Sequence, residues 1–274
     1  MTTIVREPTT SSFPRNGRVT QLHVVLSEWT KLRSLRSTRW SLLVAVVGTI
    51  ALAALACAVV AHHYPQMSAA DRADFNPLDV SFVGVQLAQL AIGVLGVLVI
   101  SGEYSTGMIR SSMCAVPKRL PILWAKAAVY ALVTLVLMLP ATLIAFFVGQ
   151  ALLSSQNINI AFGAPGVSRA VIGAALYLVI VGLFGIGLGA ITRNTAGGIA
   201  TFAGIMFVLP PLMNVLPASW NHAASPYLPL SAGESIMSII PGDHLSPWVG
   251  LALFAGYAAA TLAIAALLMI RRDT

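Results

Sequence analysis

The chain contains 274 residues, of which 57% are hydrophobic and only 9% are charged. A soluble domain carries roughly a quarter charged residues, so this chain has too few polar side chains to cover a water-exposed globule. Its net charge of +7 would suit a nucleic-acid-binding protein, but the positive side chains lie at the ends of apolar runs rather than on one polar face. That distribution is typical of membrane topology and of attraction to anionic lipid, and we expect no nucleic-acid partner.

The first 39 residues divide into a polar tail and an amphipathic segment. Residues 1–18 are rich in Thr, Ser, Pro and Arg, which predicts a disordered tail rather than a signal peptide. Within residues 19–39, a helix would place polar side chains on one face and apolar side chains on the other. The apolar set is Leu22, Val25, Leu26, Trp29 and Leu32. We expect a helix lying in the headgroup plane; the alternative is a plain positive segment before the first span.

Six apolar runs are long enough to cross a bilayer, which requires about 20 residues. They lack the alternation of a β-barrel strand and therefore predict helices. Pro140 in the third run predicts a kink, and Pro210-Pro211 predict a bend or an early end of the fifth. The runs are 40–61, 80–100, 123–148, 170–191, 197–216 and 248–270. We therefore expect an all-α integral membrane protein, with a six-helix transmembrane domain over residues 40–274.

The charges predict the orientation of the spans. With the N-terminus in the cytoplasm, all but Arg72 and Arg169 of the 16 Lys and Arg residues fall on the cytoplasmic side. Acidic residues concentrate on the opposite side: Asp71, Asp74, Asp79, Glu234 and Asp243. We expect both termini to be cytoplasmic.

Two segments between spans have features beyond the charges that set the orientation of the spans. Residues 101–122 form a predicted cytoplasmic segment, which glycines and Pro117 divide into short pieces, as expected of a brief helix held between two spans. This segment could serve as a docking surface through Glu103, Arg110, Lys118 and Arg119, or be an ordinary charged loop. Residues 217–247 mix Pro, Ser and Gly with many apolar residues, which predicts a re-entrant or surface-lying outer segment.

The sequence contains no phosphate-binding loop of the form GxxxxGK[ST], so we expect that this chain does not hydrolyse ATP. The spans hold essentially no ionisable groups for an ion-coupled carrier, and we expect Lys126 to extend to the interface. Gln86 and Gln89 are candidates for helix–helix hydrogen bonds or for substrate contact, and we favour the former. Gly185 and Gly189 predict close helix packing rather than a nucleotide loop. The sequence contains no clustered set of His and Cys ligands, so we expect no metal site.

Two segments resemble the permeases of ABC-2 type transporters, closest to those of actinobacterial type. The segment after the second span reads GEYSTGMIRSSMCAVPKR, and the segment before the first span reads SEWTKLRSLRSTRW. The first resembles the coupling-helix region of that family, and the second resembles its amphipathic connecting helix. Carried over by position, the coupling residues would be Glu103, Gly107 and Arg110, and the connecting-helix residues would be Glu28, Trp29 and Lys31.

The resemblance implies an exporter-like (type V) permease architecture in a bacterial plasma membrane. It implies two permease subunits, identical or related, and separate ATPase subunits that bind ATP and Mg²⁺, so this chain would hold no cofactor and would not itself be an enzyme. We expect export of a hydrophobic or amphipathic substrate. The alternatives are a non-transporting membrane scaffold or sensor, a membrane-embedded enzyme and a secondary carrier.

Overall fold

The computed structural model describes residues 21–73, 75–105, 120–215, 217–239 and 245–272, and within these ranges the secondary structure is helical without β-strands. The longer helices are α1 (Gln21–Ser34), α2 (Arg36–His63), α5 (Val83–Ser105), α6 (Leu120–Leu153), α7 (Val167–Thr192), α8 (Thr195–Ala203) and α12 (Pro247–Arg272). The shorter ones are α3 (Ala69–Ala73), α4 (Pro77–Ser81), α9 (Leu209–Met213), α10 (Ala218–Ala224) and α11 (Pro229–Glu234).

Six helical stretches are long and apolar enough to cross a membrane: α2, α5, α6, α7, the α8–α9 pair and α12. They correspond one to one to the six predicted runs. Together with the composition, they indicate a multi-pass membrane protein, which confirms the all-helical class and the number of candidate spans. The amphipathic helix α1 lies within the predicted segment 19–39 and ends before Leu35, whose extended backbone separates it from α2.

Helix α7 lies at the centre of the bundle and packs against α5, α6, α8 and α12. Small residues permit this close approach. A Cβ added at Gly185 would collide with the carbonyl oxygen of Gly93, and one added at Gly189 would lie 2.8 Å from the carbonyl oxygen of Val97. The prediction that these two glycines form a packing face is therefore confirmed.

Prolines affect two of the spans differently. Helix α6 continues through Pro140 from Leu120 to Leu153. In the fifth span, a π-helical turn over Gly204–Val208 separates α8 from α9, and the span ends at Met213, short of the predicted residue 216. Pro210 and Pro211 have no amide N–H to donate to the carbonyls one turn earlier, which accounts for the irregular turn and the early end.

The contacts place the helix termini at two distinct ends of the bundle. Helices α5 and α7 run parallel, since Gln89 contacts Tyr177 and Val97 lies against Gly189 further along both helices. Helix α6 is antiparallel to α5, because Lys126 near its start meets Glu103 near the end of α5. We call this the basic end; its described cationic side chains are Lys31, Arg33, Arg36, Arg39, Lys126, Arg193 and Arg271.

The opposite end, which we call the acidic end, contains Asp71, Asp79 and Glu234 together with Arg72 and Arg169. The described part of the predicted outer segment folds here onto α7 and α12, with Ile236 fully buried. The Arg169 guanidinium donates hydrogen bonds of 2.9 Å to the carbonyl oxygens of Ile236 and Ser238. The part of this segment around Ile236 therefore packs on protein, whereas Trp220 and Tyr227 remain exposed.

Candidate functional site

Four charged side chains from three helices form a closed cluster at the basic end. We call Glu28, Lys31, Glu103 and Lys126 the charge cluster. The Lys126 ammonium lies 2.5 Å from Glu28 Oε2 and 2.9 Å from Glu103 Oε1. The Lys31 ammonium lies 2.7 Å from Glu28 Oε1 and 3.1 Å from the same Glu103 oxygen. Each ammonium thus contacts both carboxylates, and the cluster is formally neutral.

The charge cluster is largely removed from solvent. The side chains of Glu28 and Lys126 are 2% and 3% exposed, that of Glu103 is 10% exposed, and Lys31 reaches the surface at 28%. Burial of single charges costs several kcal/mol each, so such a group persists only when opposite charges compensate it. The second Glu103 oxygen, Oε2, is buried and accepts no hydrogen bond from the described residues.

The charge cluster shifts the pKa values of both Glu28 and Lys31 on α1. Burial alone raises the pKa of Glu28, but the Lys126 and Lys31 ammonium groups outweigh it and hold that pKa below its ordinary value. Burial alone lowers the pKa of Lys31, but the Glu28 and Glu103 carboxylates outweigh it and raise that pKa. Both shifts favour the charged forms, so the electrostatic stabilisation is mutual.

Glu103 and Lys126 each need a partner from another helix. Glu103 lies in the last turn of α5, where the partial negative charge of the helix terminus disfavours a carboxylate. Lys126 lies in the second turn of α6 and is buried, so its ammonium group needs an opposite charge beside it. The two residues stabilise each other across the helices.

The expectation that Lys126 extends to the interface is wrong. Its side chain points into the bundle and is paired by Glu28, which is 98 residues away in sequence, and by Glu103, which is 23 residues away. Periodicity within one apolar run cannot reveal such partners. A usable signal was nevertheless present: an acid at the end of one apolar helix and a base at the start of the next must lie at the same end of an antiparallel pair.

The structure brings together three residues predicted for two separate regions, Glu28 and Lys31 of the connecting helix and Glu103 of the coupling segment. The predicted apolar face of α1 divides in two, since Leu32 is buried while Leu26 and Trp29 remain exposed. The remaining predicted coupling residues lie outside the described part of the chain: Gly107, Arg110, Lys118 and Arg119.

Three further contacts join helices at the basic end. The hydroxyl groups of Ser101 on α5 and Thr195 at the start of α8 are 3.0 Å apart. Arg193 stacks 5.1 Å from the centre of the Tyr104 ring and donates a 3.3 Å hydrogen bond to the carbonyl of Leu268 on α12. The last turn of α5 is thus connected to α8 and to the basic end of α12.

Gln86 and Gln89 differ in their surroundings. Gln89 is buried and accepts a hydrogen bond from the Tyr177 hydroxyl on α7, so it makes a contact between two helices. Gln86 is exposed and borders a cavity of about 300 Å³ at the acidic end, together with Asp79 and Glu234. Burial raises the pKa of Glu234 to about 7.

Comparison with known proteins supplies no identification: no family model matches the chain, and no curated protein matches it. Its activity is therefore inferred from the sequence and from the geometry of the helices.

Proposed function

We propose that this chain is the membrane-spanning permease subunit of an ATP-driven exporter of the ABC-2 type, in which a separate subunit hydrolyses ATP. The observation that carries the proposal is the charge cluster. It joins α1 to the end of α5 and the start of α6, the two helices that flank residues 106–119. A force applied to α1 or to the intervening segment would therefore reach two spans directly.

The burial of the charge cluster supports force transmission. Because separating one ammonium from both carboxylates would leave buried charges uncompensated, α1 and the two span termini are expected to move together. Arg193 and Ser101 extend the connection from α5 to α12 and α8. A push on α1 would then spread through most of the bundle.

The shared contacts of the charge cluster also permit more than one arrangement. Each ammonium contacts both carboxylates, and Glu103 Oε2 has unused acceptor capacity. A small sliding movement of α1 could exchange the pairings while every charge keeps a partner. If the two arrangements have similar energy, ATP binding to a partner subunit can shift the spans between inward- and outward-facing states.

The rest of the proposal is based on the sequence and on its resemblance to ABC-2 type permeases. Two such permease subunits, identical or related, would act with ATPase subunits bound on the cytoplasmic side, where the basic end would lie in a bacterial plasma membrane. The largely apolar spans favour a hydrophobic or amphipathic substrate. The exposed Gln86, beside a cavity at the acidic end, is a candidate substrate contact.

The first experiment is purification of the tagged chain in mild detergent from its native cells, followed by identification of the proteins that accompany it. Recovery of a subunit with a phosphate-binding loop is expected. If no ATPase accompanies the chain, and if deleting candidate ATPases leaves its cellular output unchanged, a scaffold or sensor role replaces the proposal.

A second experiment tests the charge cluster itself. Spin labels on α1 and α12 should report a distance change when the complex binds a non-hydrolysable ATP analogue. Glu103→Gln should reduce this change while the ATPase remains bound. Glu234→Gln removes a carboxylate at the acidic end and is the matched control, which should respond as the wild type does. Equal responses of all three proteins would reject the proposed coupling.

A further inference from the structure

A second cavity, of about 370 Å³, lies between α1, the start of α2 and the end of α5. All four residues of the charge cluster line it. Its apolar lining residues are Leu32, Leu35, Leu95, Leu98 and Val99. Leu35 is 52% exposed and Leu98 is 36% exposed, so the cavity opens to the surface. Its lining is therefore amphipathic, because it contains both charged and large apolar side chains.

The cavity extends along the direction of a span. Gly102 and Leu95 both line it and lie seven residues apart on α5, which corresponds to about 10 Å of helix rise. It therefore runs from the level of the charge cluster at the basic end towards the middle of the apolar span. An acyl chain that leaves a headgroup at the basic end follows the same path.

Three arginines near the opening of the cavity have no carboxylate partner among the described residues. Glu28 and Glu103 are the acids of the described basic end, and both are paired with Lys31 and Lys126. The exposed arginines are Arg33, Arg36 and Arg39. Arg33 and Arg36 are each flanked on both sides by residues that line the cavity: Leu32, Ser34, Leu35 and Ser37. Positive charge therefore accumulates where the cavity opens.

The order of side-chain types along the adjoining face of α2 matches the layers of a lipid leaflet. Arg36, Trp40, Leu43 and Val47 recur at helical spacing and are all exposed. From the basic end inwards, this stripe passes from a cation through an interfacial tryptophan to aliphatic side chains. Phosphate, headgroup boundary and hydrocarbon follow each other in the same order in a bilayer. The charge and the apolar surface together fit a phospholipid rather than a soluble anion.

We propose that this cavity binds one anionic phospholipid, with an acyl chain against Leu95, Leu98 and Val99 and the phosphate held by Arg33 and Arg36. The bound lipid would lie between α1 and α5, directly beside the charge cluster. This site is independent of the proposed transport function, and its test measures lipid binding alone.

The test is native mass spectrometry of the full chain in detergent, titrated with phosphatidylglycerol or with phosphatidylcholine of the same acyl chains. The wild type is expected to retain one phosphatidylglycerol and to bind phosphatidylcholine more weakly. Arg33→Gln combined with Arg36→Gln should weaken phosphatidylglycerol binding roughly 30-fold, since each surface cation contributes about fivefold to attraction by an anionic lipid. Arg271→Gln, at the same end but outside the cavity, should change it little.

A second variant tests the acyl-chain contact. Leu98→Trp fills the cavity and should weaken binding of both lipids, whereas Leu90→Trp, on the same helix but outside the cavity, should not. If Leu98→Trp does not fold, the arginine pair still decides the question, because its side chains are exposed.

Three results would overturn the proposal. The first is that the wild type and the double arginine variant bind phosphatidylglycerol equally. The second is that inorganic phosphate alone displaces the lipid. The third is that replacing the arginines releases a bound protein partner rather than a lipid. The last result would assign this face to a protein interface.

Discussion

Replacing Lys126 with methionine removes the most buried cation of the charge cluster while nearly conserving its volume. Glu28 and Glu103 would then share Lys31, which leaves one uncompensated negative charge in the bundle. At an effective dielectric constant of about 20, one contact near 2.7 Å corresponds to about 6 kcal/mol of Coulomb attraction. The wild-type protein must also desolvate the ammonium group, and this cost offsets much of the Coulomb attraction of the two contacts that are lost. We therefore expect a net destabilisation of about 3–5 kcal/mol.

A second substitution isolates the electrostatic part of this loss. Lys126→Met combined with Glu28→Gln restores formal neutrality, because Lys31 and Glu103 remain as a pair 3.1 Å apart. The double variant should therefore be more stable than the sum of the two single changes predicts, by at least about 2 kcal/mol. Lys126→Met combined with Glu234→Gln is the control pair, and it should be additive because the two sites lie at opposite ends of the bundle.

The assay is unfolding of the purified chain in mild detergent by SDS titration, followed by circular dichroism. The comparison uses differences between variants at one protein concentration. If Lys126→Met costs less than about 1 kcal/mol, or if the Lys126–Glu28 pair is additive, the four charges do not act as one buried cluster.

Four further predictions address other parts of the structure. Because the folded pKa of Glu28 lies below its ordinary value of 4.5, its stabilising contribution is complete above that pH and is lost as the pH falls further; this loss should flatten in Glu28→Gln when unfolding is measured across the acid range. The contribution of Glu234 to stability depends on pH in the opposite direction. Its pKa is raised from 4.5 to about 7, so its contribution to stability declines as the pH rises between these values. Glu234→Gln should therefore raise the unfolding temperature relative to the wild type above neutral pH, but not below about pH 4. Gly185→Ala should destabilise by about 1–3 kcal/mol in thermal unfolding, whereas Gly256→Ala, which meets no atom within 4 Å, should be tolerated; equal effects would contradict the packing account. Arg169→Gln should speed amide hydrogen exchange in residues 236–239 without affecting the exchange of α6, and unchanged exchange in that segment would show that Arg169 does not hold it.

Local sequence patterns identified the spans because each apolar run must satisfy its own backbone hydrogen bonds. The six runs could be predicted from about 20 consecutive residues each, and the short fifth span and the close packing of Gly185 from residues within one or two helical turns. The sequence also pointed to Glu28 and Lys31, through the family resemblance, and to Glu103, through the charges of its segment and the same resemblance, but it placed them in two separate regions.

The amino-acid sequence by itself determined that this chain is apolar, helical and arranged in six long segments, with most of its positive charge at one end of the bundle. Only the tertiary structure decided that Lys126 is a buried ion-pair partner, that Gln86 and Gln89 have different surroundings, and that a cavity opens beside α1. The physical reason is range: hydropathy and helical periodicity are local properties, whereas an ion cluster or a cavity depends on which distant helices meet. Glu28 and Lys126 are 98 residues apart along the chain, yet their charged groups lie 2.5 Å apart after folding.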